Sequence, residues 1–370
     1  MRRLFPEVAR VRFLPEPLGI YIHIPFCKKR CAYCDFFSTF YDFELVKTYI
    51  SALLKETKKW GGILARPVNS LYIGGGTPSL LKSHIKTVIN GVKDSFELTK
   101  DCEITVEANP ESMTEEFLSA ALSAGANRLS LGVQSFKDDE LKMLGRSHSA
   151  LQARNAYYLA RSMGFKNISL DLMICLPNSN LNTLKFTLDS FMRLSPAHIS
   201  AYMLKVEDNT VFSKQKIREL EEEEQVEQYM FVCEYLKNHG YIHYEISNFS
   251  KPHYESVHNS KYWNCEEYLG IGPSAYSFID GRRFFYPNNF KKFLSDPETF
   301  FDGNGGTLEE KVMLGLRTNR GADISSYCEK NDPRLLKFEQ EGLLKNDYPF
   351  VYLTDKGMLL SNRIITELIY

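Results

Sequence analysis

No run in the 370 residues approaches the ~20 apolar residues of a membrane span. The opening Met1-Arg2-Arg3-Leu4-Phe5-Pro6 is basic, but no apolar stretch follows it, so it does not read as a signal peptide. Charge of one sign is also missing. Lys and Arg number 45 against 46 Asp and Glu, and a net charge of -1 gives no global attraction to nucleic acid or acidic lipid. Internal repeats and low-complexity segments are absent. Cysteine is sparse outside one loop: Cys102, Cys175, Cys233, Cys265 and Cys328 are scattered, and each reads as a small buried hydrophobe. These features suit a reducing cytoplasm, where clustered cysteines bind metal rather than pair. The length accommodates one large α/β domain with a small appendage.

The three remaining cysteines lie in Gly19-Ile20-Tyr21-Ile22-His23-Ile24-Pro25-Phe26-Cys27-Lys28-Lys29-Arg30-Cys31-Ala32-Tyr33-Cys34-Asp35-Phe36. The β-branched and aromatic run before Pro25 predicts a buried strand that the proline stops. Three thiolates spaced C-x3-C-x2-C can reach one inorganic centre if the loop curls around it. A four-iron cube ligated by Cys27, Cys31 and Cys34 keeps one iron free for a small ligand. A Cys3His zinc site with His23 is the competing reading, but His23 sits mid-strand, four residues before Cys27, an awkward direction for closing a tetrahedron. Three cysteines cannot pair internally.

Downstream, strand and helix patterns alternate at least six times. Strands are predicted at 70–73, 103–107, 128–134, 167–173, 198–206 and 243–247, with helices between them, the longest over about 213–238. No hairpin signal interrupts them, so parallel βα units closing into a full or partial barrel are expected. Chemistry in such barrels sits at the C-terminal strand ends, and Gly74-Gly75-Gly76-Thr77, Glu107, Gln134 and Asp171 all fall there. From about Gly305 the pattern changes to helices followed by a small strand pair, a winged-helix-like appendage. That segment carries nine Lys and Arg against ten Asp and Glu, so it offers no DNA-reading surface. The expected organisation is an arm over 1–18, a barrel over 19–250, a barrel-closing segment over 251–304 and the appendage over 305–370. Arg282-Arg283-Phe284-Phe285-Tyr286 and Lys291-Lys292-Phe293 interleave basic and aromatic residues, and read as a solvated edge with buried rings.

The cysteine stretch resembles the radical SAM superfamily. Its flanking words, Tyr-x-His-Ile-Pro-Phe-Cys and Cys-x-Tyr-Cys-Asp-Phe, resemble the branch of oxygen-independent coproporphyrinogen III oxidases and their relatives, the haem chaperones of the HemW type. The resemblance implies a partial (β/α)6-type TIM barrel holding a [4Fe-4S] cluster and S-adenosylmethionine. It places Gly75, Gly76 and Thr77 at the methionyl amino group, and makes Glu107, Gln134, Arg146 and Asp171 further cofactor contacts, in the words Val-Glu-Ala-Asn-Pro, Gly-Val-Gln-Ser-Phe, Gly-Arg-Ser-His and Leu-Asp-Leu-Met. Tyr21 matches a tyrosine expected at the cofactor. Carboxylates there can accept from ribose hydroxyls or an ammonium group, and Arg146 can pair with a carboxylate. Where the family usually has Gly-Leu-Pro-Gly, this chain has Cys175-Leu176-Pro177-Asn178.

Two features separate the branches. The oxidases carry a further cysteine two residues after the third, where this chain has Phe36, and a longer N-terminal region. Both departures resemble the haem carriers. The word His258-Asn259-Ser260-Lys261-Tyr262-Trp263 resembles a feature of the same branch, which makes His258 the expected haem contact; packing at the barrel mouth is the alternative. The resemblance implies haem and acceptor haemoproteins as partners, expects no nucleic acid, and leaves open weak contact with a membrane surface and a homodimer. The runner-up function is the radical decarboxylation of coproporphyrinogen III in porphyrin biosynthesis.

Overall fold

In the computed structural model, which describes residues 16–370, regular structure begins at Leu18–Ile24 (β1). Most of the expected N-terminal arm lies outside the described residues. Strand and helix then alternate: α1 (Phe43–Ile63), β2 (Val68–Gly75), α2 (His84–Ser95), β3 (Leu98–Ala108), α3 (Glu115–Ser123) and β4 (Arg128–Gln134). The series continues with α4 (Ala150–Met163), β5 (Asn167–Ile174), α5 (Leu181–Leu194), β6 (His198–Met203) and α6 (Glu222–Asn238). Strands β1 to β6 pair in sequence order, every ladder parallel. This is the partial barrel that the alternation predicts. All seven residues of β4 are buried, as a strand covered on both faces requires.

Two elements differ from the sequence expectation. The helix predicted over 213–238 is broken into a single turn, Val211–Lys214, and α6 from Glu222, with Lys216 between them in a left-handed backbone (φ 55°) that a helix interior excludes. The strand predicted over 243–247 is not a further parallel strand. Ile242–Glu245 (β7) turns back into Asn248–Ser250 (β8), which pairs antiparallel with both β7 and β6. The next parallel strand lies on the other side of the sheet: Tyr268–Ile271 (β9) pairs with β1, after the short helix α7 (Val257–Trp263). An antiparallel meander follows it, β10 (Tyr276–Ile279), β11 (Arg282–Phe285) and β12 (Phe300–Asn304). Among the described residues no ladder joins β12 to β7, so the twelve-stranded sheet stays open. Three- to five-residue strands are too short to show a clear period, which is why the sequence did not reveal them.

The meander is tied to the barrel through α1. Tyr286, almost fully buried, donates from its hydroxyl to Glu56 (2.7 Å) and accepts from the Trp60 indole (2.7 Å). Phe293 is buried beside it, and Arg282 lies over Phe301. Residues 308–369 build a second core. There α8 (Leu308–Gly315), β13 (Ala322–Asp323), α9 (Pro333–Gln340), β14 (Leu344–Asp347), β15 (Phe350–Leu353), α10 (Asp355–Leu359) and α11 (Ser361–Ile369) enclose Leu335, Phe338, Val351 and Ile364. The expected strand pair is a three-stranded sheet, because Ala322–Asp323 adds to the edge of β15. Backbone bonds join this unit to β7: Ile246 N–H donates to the Arg317 carbonyl (3.1 Å) and Asn319 N–H to that of Tyr244 (3.0 Å). Among the described residues no helix is long and apolar enough to cross a membrane.

Helices α1 and α2 meet at Gly61, where a Cβ would collide with the Ser95 carbonyl oxygen, while Gly62 has nothing within 4 Å. Gly61→Ala is therefore expected to lower stability by about 1–3 kcal/mol. Gly62→Ala should leave it unchanged or raise it by up to about 0.5 kcal/mol. Thermal melts of the two variants side by side check the pair.

Candidate cluster and cofactor site

Pro25 ends β1, and the chain then crosses the barrel rim as the cysteine loop. Buried Phe26 anchors its start, edge-on to Tyr49 with ring centroids 5.5 Å apart. Backbone bonds close it, from Thr39 N–H to the Pro25 carbonyl (2.6 Å) and from Tyr41 N–H to that of Cys27 (3.0 Å). Ala32 in the middle donates to the Leu144 carbonyl (2.9 Å) and accepts from Phe212 N–H (3.0 Å), which pins the curl to two other rim segments. Cys27, Cys31 and Cys34 are free thiols, partly exposed, and line a cavity of about 450 Å³. Burial raises the thiol pKa of Cys27 and pushes that of Cys34 up to about 11, so both stay protonated until a cation replaces the proton.

Across the cavity, β2 ends at Gly75, whose φ of 111° suits glycine. A Cβ on Gly76 would stand 2.7 Å from the Phe26 carbonyl oxygen, so the glycine permits the close approach of strand end and loop. Glu107, at the end of β3, accepts from Gly75 N–H (3.1 Å) and from the Tyr72 hydroxyl (2.7 Å). Thr77 accepts from the Asn109 amide (3.1 Å), and its hydroxyl lies 3.7 Å from the Cys27 sulfur. Arg146 donates to the Asn109 carbonyl oxygen (2.6 Å), to the Gly132 carbonyl (2.7 Å) and to the Cys31 sulfur (3.4 Å). Asp171 accepts from Ser130 (3.3 Å). Gln134 holds a left-handed backbone (φ 69°) that turns its side chain at the strand end.

Electrostatically the cavity is a pair of reluctant carboxylates facing a guanidinium. Burial pushes the Glu107 carboxyl up to about 7, the Tyr72 hydrogen bond opposing it and the Asp171 charge adding to it. Burial likewise pushes Asp171 up to about 6, against hydrogen bonds from Ser200 and Ser130 and the charges of Arg128 and Arg146. Burial works against the Arg146 charge, but Tyr33, Cys31 and Glu111 outweigh it and hold the group protonated. Gln134 Oε1 and Arg146 Nε are buried with no partner among the described residues. Orphaned polar atoms beside three free thiols and a glycine-lined wall fit a polar, zwitterionic ligand seated against a metal cluster.

The cavity thus gathers Cys27, Cys31, Cys34, Gly75, Gly76, Thr77, Glu107, Gln134, Arg146 and Asp171. Tyr21 and His258 stand apart from it. Tyr21 lies below Tyr72 (ring centroids 6.2 Å) with its hydroxyl 3.0 Å from His23 Nδ1. His258 is 1% exposed, and both ring nitrogens are engaged, Nδ1 with Ser70 (3.0 Å) and Nε2 with the Tyr262 hydroxyl (2.9 Å). Burial, with Lys261 and Arg128 adding to it, lowers its pKa to about 3. In this conformation both nitrogens of His258, the expected haem contact, are taken up by protein partners.

Sequence reasoning passed over several wall residues. Asn109 stands within the word that gave Glu107, and Tyr202 at the end of β6 obeys the same strand-end rule. His148 is buried beside Arg146, within 3.3 Å of Glu111 and 3.1 Å of the Val133 carbonyl. Cys175 and Asn178, in the altered Leu-Pro turn, both take left-handed backbone (φ 59° and 63°), so the turn survives without its glycines.

Residues 21–191 match the Radical SAM superfamily. The fold agrees: coproporphyrinogen III oxidase (HemN) from Escherichia coli superposes with a TM-score of 0.82 over 97% of this chain and 91% of that one, at 22% identity. The fold and the cysteine loop define a radical SAM-type protein. Over nearly the whole chain it is similar to the heme chaperones HemW of Lactococcus lactis (32% identical, covering 96% of this chain and 98% of the relative) and Bacillus subtilis (36%, 93% and 97%). That of Buchnera aphidicola (subsp. Schizaphis graminum) is 40% identical, with 95% and 98% covered. The chain belongs to the HemW family.

The raised pKa of Asp171 sets a pH dependence. Its folded value, about 6, lies above the ordinary carboxylate range near 4, so the protonated form is favoured in the fold. The associated stability is present below about pH 4 and lost as pH rises through 6. Discounted for partial exposure to the cavity, the loss is about 1–2 kcal/mol. Asp171→Asn should therefore gain stability over wild type between pH 5 and pH 7.5, and denaturant melts at the two pH values check this.

Proposed function

We propose that this protein is a haem carrier that holds a [4Fe-4S] cluster on Cys27, Cys31 and Cys34 and passes haem to acceptor haemoproteins. The observation that carries the reading is similarity to heme chaperones along almost the full length of both chains, combined with Phe36 where the oxidases have a further cysteine. When bound, the cluster supplies an electron and an iron open to the amino and carboxylate groups of S-adenosylmethionine. The residues around it divide the cofactor between them. Gly75, Gly76 and Thr77 offer backbone to the methionyl end, Arg146 pairs with its carboxylate, and Glu107 and Asp171 accept from ammonium or ribose hydroxyls. Binding an ammonium beside Glu107 draws its carboxyl into the ionised form.

The cavity mouth supports the haem side of the reading. Phe36 is 63% exposed there, beside exposed Lys28, Lys29 and Arg30 on the same loop. A flat apolar surface next to cations suits a macrocycle with two propionates. We place weak membrane-surface contact at the free edge of β12, where Phe300 and Phe301 are exposed.

Anaerobic reconstitution with iron and sulfide, followed by haem titration, tests the reading. About four irons per chain, lost in Cys31→Ala, and one Soret-active haem per chain are expected. Supplied with S-adenosylmethionine and reductant, the protein should not convert coproporphyrinogen III. Turnover without stable haem binding would transfer the assignment to the oxidase. His258→Ala should keep the Soret band and lose about 1–3 kcal/mol of stability, since it strands buried Ser70.

A further inference from the structure

Outside the cavity of the cysteine loop, three metal-ligating side chains from three separate segments converge. Cys233 comes from α6, His243 from β7, and Asp355 opens α10 in the C-terminal unit. Cys233 Sγ, His243 Nδ1 and a carboxylate oxygen of Asp355 all lie within 4.8 Å of one another. His243 Nδ1 is 2.8 Å from Asp355 Oδ1 and 3.9 Å from the sulfur. We propose that Cys233, His243 and Asp355 form a binding site for a divalent transition ion, zinc by preference, that clamps the C-terminal unit onto the barrel.

The donor set is the first argument. Thiolate, imidazole and carboxylate are the three side chains zinc takes, and one of each leaves a fourth position for water. Ligands about 2.0–2.3 Å from a common ion stand roughly 3–4 Å from one another, so the observed separations need only small shifts. Orientation is the second. The far nitrogen of His243, Nε2, faces the Ile246 carbonyl at 3.4 Å, an outer partner that leaves the Nδ1 lone pair turned toward sulfur and carboxylate. The ring is fixed in place by stacking on Phe249, with centroids 4.2 Å apart and planes 12° apart. Position is the third: Cys233 is buried while Asp355 keeps partial access to solvent, so an ion has both a dry anchor and a route in. A proton shared by His243 and Asp355 is the competing occupant of the same point.

The test uses the full chain with Cys27, Cys31 and Cys34 replaced by serine, so that the loop thiolates cannot compete. Metal-free protein is titrated with cobalt(II) and, separately, zinc. One cobalt per chain with a sulfur-to-cobalt charge-transfer band is expected, the band vanishing in Cys233→Ser and the melting temperature rising with zinc. Asp355→Asn, which keeps the hydrogen bond to His243, should weaken binding while leaving the metal-free melt close to its parent's. No band, a band that survives Cys233→Ser, or a melt indifferent to zinc would each overturn the site in favour of the proton-held pair. Because the loop cysteines are absent throughout, failure here leaves the haem-carrier reading untouched, and failure of that reading leaves this one standing.

Discussion

One buried guanidinium holds the rim of the barrel together. Arg146 reaches the Gly132 carbonyl on β4, the Asn109 side chain after β3, and the Cys31 sulfur in the loop after β1. Desolvating such a group costs several kcal/mol unless it is fully partnered. The partners come from three strand ends, so the group is satisfied only when all three are in register. Asn109 extends the connection, donating to Thr77 while accepting from Arg146, and so joins the end of β2 to the same node. The rim is thus one polar network, and its remaining unpartnered atoms, Arg146 Nε and Gln134 Oε1, are those left for a ligand.

A second network lies inside the barrel beneath this rim. Arg128, 2% exposed, faces Glu103 at 3.9 Å, and Glu103 accepts from the backbone N–H groups of Val257 and His258 at the start of α7. His258 then meets Ser70 on β2 and Tyr262 one turn along its own helix. A histidine whose two nitrogens are both bonded specifies how α7 closes the barrel, and its low pKa keeps it neutral among the charges of Lys261 and Arg128. Its ring also packs against Tyr72, centroids 5.4 Å apart, and Tyr72 is the residue that donates to Glu107. The word His-Asn-x-x-Tyr-Trp therefore reaches the cofactor wall through packing.

The parallel half of the fold was legible because its signals are long. Eight-residue strands and fourteen-residue helices show their periods, and parallel strands force polar residues onto one rim, where the site was sought. Gly75 and Gly76 were legible for a related reason: a close approach leaves no room for a Cβ, and three glycines in a row at a strand end announce it. The antiparallel half was not. Residues 242–250 and 276–304 make strands of three to five residues that add to the edges of the parallel sheet. The surroundings of His258 were illegible for a similar reason: an imidazole beside two aromatics can be a ligand or a buried bracket, and the bonds to Ser70 and Tyr262 join residues far apart in sequence or a turn apart on a short helix.

Two loops of the same rim handle cysteine in opposite ways. Cys27, Cys31 and Cys34 sit on an exposed loop whose curl is imposed by backbone bonds from Thr39, Ala32 and Tyr41, so their convergence does not wait for a ligand. Cys175, by contrast, is buried where the family usually has glycine. It takes a left-handed backbone at a cost of roughly 1–2 kcal/mol. Its N–H finds Gln228 on α6 at 3.0 Å, and the same glutamine reaches Ser179 beyond the turn. One buried amide from a distant helix thus supports the turn at both ends. The glycines could be lost there because support had moved from backbone freedom to tertiary contact, whereas at Gly76 the approaching Phe26 carbonyl leaves no such exchange open.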